Sequence, residues 1–270
     1  MHSTAVSPPV RLRSVALPVE HGGWSFLVEP LALGLLVAPS AAGAALALSA
    51  TGMFLARHPL KLAWGDRQRG RRYMRTRLAE RFMLLYGGVA AAGLALAIAL
   101  ARSGDMLVPL LIAAPAMLIQ LAFDLTNNSR HVLPELTGPA GLAAFGASIA
   151  LAEGWTLAPA LALWALLAVR AIPAILYVRA RLRLEREQPD APIASALLAH
   201  LTGLLAALAL NGARLAPTLA VIAMGILTVR AAHGLSRYRR PAKPKTIGFQ
   251  ELGFGVLTVL LVALGYRLGL

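Results

Sequence analysis

The chain alternates apolar stretches long enough to cross a bilayer with short basic segments, and that alternation restricts it to one class of fold. The densest basic segment runs from Arg57 to Arg77, R-H-P-L-K-L-A-W-G-D-R-Q-R-G-R-R-Y-M-R-T-R, with eight Lys/Arg and one carboxylate, Asp66. An apolar span precedes it (Ala41 to Ala56) and another follows it (Phe82 to Ala101). A cation at the bilayer centre is costly, so a run this dense belongs mostly at or beyond the membrane surface. Composition agrees: 58% of the 270 residues are hydrophobic, only 14% are charged, and the mean hydropathy is +0.67. A soluble domain carries about 25% charged residues.

A spanning helix takes about 20 apolar residues at ~1.5 Å rise each. Nine stretches fit: 22–39, 41–62, 81–101, 106–125, 133–153, 156–178, 192–212, 215–235 and 248–268. The expected fold is therefore an all-α integral membrane protein, a bundle of nine transmembrane helices in one polytopic domain over residues 21–270. Residues 1–20, which contain Pro and Ser and are mildly basic, are expected to be a disordered cytoplasmic N-terminus. No small-residue cleavage site accompanies the first span, so no secretory signal is expected. Many Ala and Gly, as in G-P-A-G-L-A-A-F-G, suit close helix packing in lipid.

Charge sets the orientation. With nine spans, 22 of the 26 Lys/Arg fall on one side; only Arg102, Arg214 and Arg267 fall on the other, and Arg170 lies within a span. That asymmetry places the N-terminus inside and the C-terminus outside an inner (cytoplasmic) membrane. The net charge of +14 sits in the connecting segments, which points to anionic headgroups rather than nucleic acid. The absence of cysteine excludes disulfides, thiolate metal ligands and a cysteine nucleophile.

Polar groups inside the spans are the candidates for function, because each needs a partner. His21, Trp24 and Glu29 stand in E-H-G-G-W-S-F-L-V-E-P on the first span, with Glu29 well inside it. Arg57 and Lys61 share a helical face on the second, with His58 alongside and Asp66 beyond. Two stacked cations call for a counter-ion, and Glu29 or a ligand anion is expected to supply it. Arg170 and Tyr177 share a face on the sixth span, which continues to Arg181 at its basic end. Asp124 opens the connection F-D-L-T-N-N-S-R-H-V-L-P-E, and Arg230 closes the eighth span. His200 reads as a hydrogen-bonded core histidine. No metal-ligand spacing, P-loop or nucleophile elbow occurs. Cation-rich inner ends on the second, sixth and eighth spans form an anion-binding pattern, since Arg and Lys match phosphate oxygens. Arg57, His58, Lys61, Arg170, Tyr177 and Arg181 are expected to face one pocket between adjacent second and sixth spans, with Trp24 lining its deeper part.

Three segments carry a family resemblance: H-G-G-W-x-F-L-x-E-P-x-x-x-G (His21 to Gly34), R-H-P-L-K-L-x-x-x-D-R-x-x-G-x-R (Arg57 to Arg72) and R-A-I-P-A-I-L-Y-V-R-A-R-L-R (Arg170 to Arg183). Together they resemble the YwiC-like family of bacterial membrane proteins. More distantly the plan is similar to the UbiA-type intramembrane prenyltransferases, which have nine helices and functional loops after helices two and six. That resemblance implies a prenyl diphosphate held through magnesium by two Asp-rich motifs. The chain departs from it: Asp66 stands among arginines at the first motif, and Arg179 to Arg183 occupy the second. Glu185, Glu187 and Asp190 follow without the D-x-x-x-D spacing. Magnesium is expected only if the divergent UbiA-like reading holds.

The leading expectation is a protein that binds an anionic amphipathic lipid or prenyl diphosphate in a cytoplasm-facing cationic cavity, with membrane lipids as its other partners. A divergent prenyltransferase-like activity is one form of it. The alternative is a small transporter or exporter of an anionic or amphipathic solute. A non-catalytic scaffold, with the basic segments as anchors, is the third reading.

Overall fold

The computed structural model describes residues 12–18, 23–70, 72–188 and 190–270. The helices in chain order are α1 (Leu12–Ala16), α2 (Gly23–Val37), α3 (Ala41–Gln68), α4 (Met74–Leu100), α5 (Leu107–Leu125), α6 (Val132–Ala152), α7 (Leu157–Glu185), α8 (Ile193–Gly212), α9 (Thr218–Leu235) and α10 (Pro244–Leu268). A 3-10 turn at Gly104–Met106 leads into α5. No strand occurs among the described residues.

Local chemistry sets the boundaries. Between α2 and α3, Pro39 interrupts the helix and Ser40 caps the next one, its hydroxyl accepting the Gly43 N–H at 3.0 Å. The Asn-rich connection after α5 turns through Asn127 at φ 60°, a conformation Asn tolerates. The His131 side chain then caps α6, with Pro134 in its first turn. Pro244 opens α10, and Gly269 closes it in the left-handed region.

Each of the nine apolar stretches is helical, but they are not equivalent. Seven are long and apolar enough to cross a membrane: α4, α5 with its leading turn, and α6 through α10. Exposed leucines such as Leu84, Leu111, Leu118, Leu198 and Leu205 cover the outer faces of α4, α5 and α8, as lipid contact requires. The 15 residues of α2 rise about 22 Å, less than the ~30 Å hydrocarbon thickness. α3 has 28 residues, but its apolar part ends at Ala56, before Arg57, His58 and Lys61. Much of the basic run therefore extends α3 as helix, and only residues 69–73 separate it from α4.

Two expectations need correction at the N-terminus and in the packing. Leu12–Ala16 form a helical turn within the stretch expected to be disordered, because Val15 is buried against Ala63 and Ala79 on α3 and α4. Residues 1–11, 19 and 20 lie outside the described residues. α3 and α7 do not pack as neighbours; α6 runs between them and contacts both, along with α2 and α5. Gly141 through Ala152 of α6 are all buried, which makes this helix the axis of the core.

Small residues let α3 and α4 approach at two levels. A Cβ at Gly52 would lie 2.7 Å from the Ala90 backbone nitrogen, and one at Gly93 would lie 2.8 Å from that of Ser49. The Ser49 hydroxyl donates to the Ala90 carbonyl at 2.8 Å between them. Gly93→Val should therefore destabilise the protein by about 1–3 kcal/mol in a detergent melt. Gly87→Ala, in the same helix with nothing within 4 Å, should be neutral or mildly stabilising. Equal effects of the two changes would contradict this packing.

Candidate functional site

A cavity of about 370 Å³ lies between α2, α3, α6, α7 and α10, toward the helix ends that carry the basic segments. Phe26, Phe54, Leu142, Ile175 and Leu182 give it an apolar wall. A second space of about 200 Å³ shares Gly23, Phe54, Arg57 and Ser129 with it and adds His58, Lys61 and Asp124. The two spaces meet at Arg57, with Lys61 on the outer side and Arg170 on the inner.

The inner end is built from four charges on four helices, two of them buried (Glu29 and Arg170) and two partly buried (Arg230 and Glu251). Arg170 Nη2 donates to Glu29 Oε1 of α2 at 3.2 Å and to the Glu251 carbonyl of α10 at 3.2 Å. Arg230 of α9 pairs with the Glu251 carboxylate at 2.7 Å. The Arg230 guanidinium also stacks 3.9 Å above the Tyr177 ring and 5.0 Å from that of Phe254. Two carboxylates and two guanidiniums leave the cluster neutral, which is what burial among apolar helices demands. Glycine makes room for it: a Cβ at Gly255 would fall on the Glu29 carboxylate and 3.0 Å from Arg170 Nη2. Several polar atoms here are buried without a hydrogen-bond partner, namely Nε and Nη1 of Arg170, Nε and Nη1 of Arg230, and Oε1 of Glu251. Such atoms call for water or another polar group.

The outer end is held differently. Arg57 donates through Nε (2.8 Å) and Nη2 (2.6 Å) to Asp124 Oδ2, while Gln120 donates to the other carboxylate oxygen at 3.0 Å. Lys61 Nζ donates to the Ser129 hydroxyl at 2.8 Å, and the His58 ring meets the Ser14 carbonyl at 3.0 Å. Arg179 pairs with Glu135 on the cavity wall. The charged lining of the larger cavity is thus balanced, with Arg57, Arg170 and Arg179 facing Glu29, Glu135 and Glu251. On the outer side Arg57 and Lys61 face the single carboxylate of Asp124, with His58 beside them.

The expected site residues separate into three groups. Glu29, Arg57 and Arg170 line the larger cavity, and His58, Lys61 and Asp124 line the smaller. The counter-ion of Arg57 is Asp124, and Glu29 belongs to Arg170. Tyr177 and Arg230 stand behind the inner wall as a stacked pair, with the His200 ring edge-on to Tyr177. His200 is buried and meets the Ala196 carbonyl at 2.8 Å, as a core histidine should. Trp24 packs edge-on against Phe54, with ring centroids 5.1 Å apart, and it is Phe54 rather than Trp24 that lines the space. Arg181 lies away from the cavity, bound to Glu185 and to the carbonyls of Gly234 and Arg240. His21 lies outside the described residues. Gln120, Ser129 and Glu135 were not singled out as site residues; the one sequence signal for Gln120 is its i, i+4 spacing to Asp124.

Asp66 also leaves the pocket. It is 2% exposed and ties the α3 end to α4 through Arg75 (2.6 and 3.1 Å) and the Thr76 hydroxyl (2.7 Å). Both oxygens are therefore committed within the protein, and Arg179, Arg181 and Arg183 stand at the second Asp-motif position. Among the described residues no three His, Asp or Glu side chains gather as a metal site. These residues do not fit the magnesium bridge that the prenyltransferase resemblance implies.

The hydrogen bonds from Arg75 hold the Asp66 carboxyl below its ordinary range, against the opposing effect of burial. A carboxyl with a depressed folded-state pKa contributes stability that is complete above the ordinary value near ~4 and is lost as pH falls through the lowered one. The melting temperature of Asp66→Asn should therefore lie below that of the wild type by a constant gap from about pH 7 to about pH 5, closing in stronger acid. A gap unchanged down to about pH 2 would contradict the clamp.

No curated protein and no solved structure matches the chain. Residues 17–150 match the family model described as YwiC-like protein. The matched segment carries Glu29, Arg57, Lys61, Asp124 and Glu135, whereas Arg170, Arg230 and Glu251 lie beyond it. The chain is similar to that family over residues 17–150, just under half of its length.

Proposed function

We propose that this is a nine-span protein of the inner membrane that holds an amphipathic anion, an anionic lipid or prenyl diphosphate, in the cavity beneath its cytoplasmic basic segments. α2 through α10 form its single membrane domain, with the N-terminus inside and the C-terminus outside. α2 and α3 count as spans because the loop-by-loop alternation of Lys/Arg requires both.

The observation that carries the binding reading is the pairing of an apolar wall with a cation in reach of it. Lys61 has no carboxylate partner among the described residues; it donates to Ser129 beside Arg57, where the smaller space opens into the larger one. An anionic head at Lys61 and Arg57 would leave a hydrocarbon tail against Phe54, Leu142 and Ile175. Guanidinium and ammonium groups bind phosphate oxygens directly. With arginines at the positions where a metal bridge would stand, the residues favour metal-independent binding over prenyl transfer. The charge-balanced cluster at the inner end favours a second reading, export of the ligand, because intramembrane ion pairs commonly line solute pathways.

Hexadecyl phosphate, with hexadecanol as the uncharged control, tests the site on purified protein in mild detergent. The phosphate should bind in the presence of a chelator, weaken as salt rises, and lose about tenfold in affinity in Lys61→Gln. Equal binding of the alcohol, or binding that requires magnesium and ignores Lys61, would overturn the reading. Topology has its own test: reporters fused at Gly104 and Gly154 should both read as external. An internal signal at either would break the nine-span arrangement.

A further inference from the structure

The Arg57–Arg77 run is the densest in cations, but several of them are engaged by carboxylates. Arg67 and Arg72 share Glu80, and Arg75 binds Asp66. The connection between α9 and α10, with the first turn of α10, is different. Arg237, Arg240, Lys243 and Lys245 are exposed, and no carboxylate pairs with any of them among the described residues.

This connection is also held in place. Arg181, 5% exposed at the end of α7, donates to the carbonyls of Gly234 and Arg240 and pairs with Glu185 at 3.0 Å. Glu185 in turn accepts the Ala242 N–H at 3.1 Å and lies 3.6 Å from Arg239 Nε. Arg239 also donates to the Leu184 carbonyl at 3.3 Å. A buried arginine and its glutamate thus fasten the segment before α10 onto α7, and the remaining cations project from a fixed backbone.

Two exposed aromatic rings stand among those cations. Tyr238 is 68% exposed with the Arg237 guanidinium 4.8 Å from its ring, and Phe249 is 62% exposed with Lys245 Nζ 5.8 Å from its ring. Aromatic rings beside cations at a helix–loop boundary are the side chains that settle at the headgroup level of a bilayer.

We propose that the α9–α10 connection is a binding site for the headgroups of anionic phospholipids in the surrounding bilayer, with Arg237, Arg240, Lys243 and Lys245 taking the phosphates and Tyr238 and Phe249 seated in the interface. A fixed backbone separates this from a merely solvated basic loop, because the cations are presented together without the entropy of ordering the chain. The site is independent of the cavity.

Native mass spectrometry of the full chain in mild detergent tests it, with phosphatidylglycerol and phosphatidylcholine as probes. The wild type should retain phosphatidylglycerol in preference, and Arg237→Gln/Arg240→Gln/Lys243→Gln/Lys245→Gln should lose that preference. Glycerol phosphate at the same concentration should not displace the lipid; displacement would make this a site for free phosphate and overturn the proposal. Undiminished preference in the fourfold variant would overturn it as well. If that variant does not fold, Lys243→Gln and Lys245→Gln alone carry the test, and each must lower retention of phosphatidylglycerol but leave the melting temperature unchanged. Retention at the wild-type level in both would be equally fatal.

Discussion

A glutamate and an arginine cannot be buried among apolar helices unless they meet, and the meeting of Glu29 with Arg170 fixes much of the arrangement around it. The pair joins α2 to α7, and the second bond of Arg170, to the Glu251 carbonyl, brings in α10. Arg230 then neutralises Glu251 and secures α9. Breaking one member of such a pair typically costs about 3–5 kcal/mol, because a charge is left without a partner. The inner end of the cavity therefore has a defined place within the bundle, and Gly255 supplies the space that a larger residue would fill.

From that fixed end the rest of the cavity follows. Arg179 lies nine residues beyond Arg170 on α7, about 13 Å along the axis, so its pair with Glu135 lines the wall nearer the basic end. The Arg57–Asp124 pair does the same between α3 and α5. The cavity is thus neutral where it is deepest, and Lys61, an ammonium with no carboxylate partner among the described residues, stands at its outer side. On the proposed reading this gradient would order a ligand as well as attract it: the charged end would stay near Lys61 and the apolar part would pass inward along Phe54 and Leu142.

Much of the fold was legible in the sequence because bilayer length and hydropathy are local properties. The helix over Leu157–Glu185, for example, follows from an apolar run that ends in R-A-R-L-R. The cost of an unpaired charge in lipid also marks Glu29 and Arg170 as groups that need partners, and each partners the other. Partner choice was less legible. Arg57 sits near Glu29 in the sequence logic of a shared counter-ion, but α5 brings Asp124 to it across 67 residues, and no spacing rule encodes that contact. Asp66 reads as a lone acid in a ligand-binding run, whereas its neighbours after the turn, Arg75 and Thr76, bury it as a clamp. The separation of α3 from α7 by α6 is likewise a property of packing, set by small residues along α6 that let four helices approach it.

The Glu29–Arg170 pair is the point at which this account is most exposed to test. A double-mutant cycle with Glu29→Leu, Arg170→Met and the double variant, read by thermal unfolding in one detergent, isolates the pair from the packing of either side chain. Each single change should be strongly destabilising, and the double variant should recover about 2–3 kcal/mol of the sum. Strictly additive losses would mean that the two charges do not depend on each other, and the arrangement of α2, α7 and α10 around the cavity would need another cause.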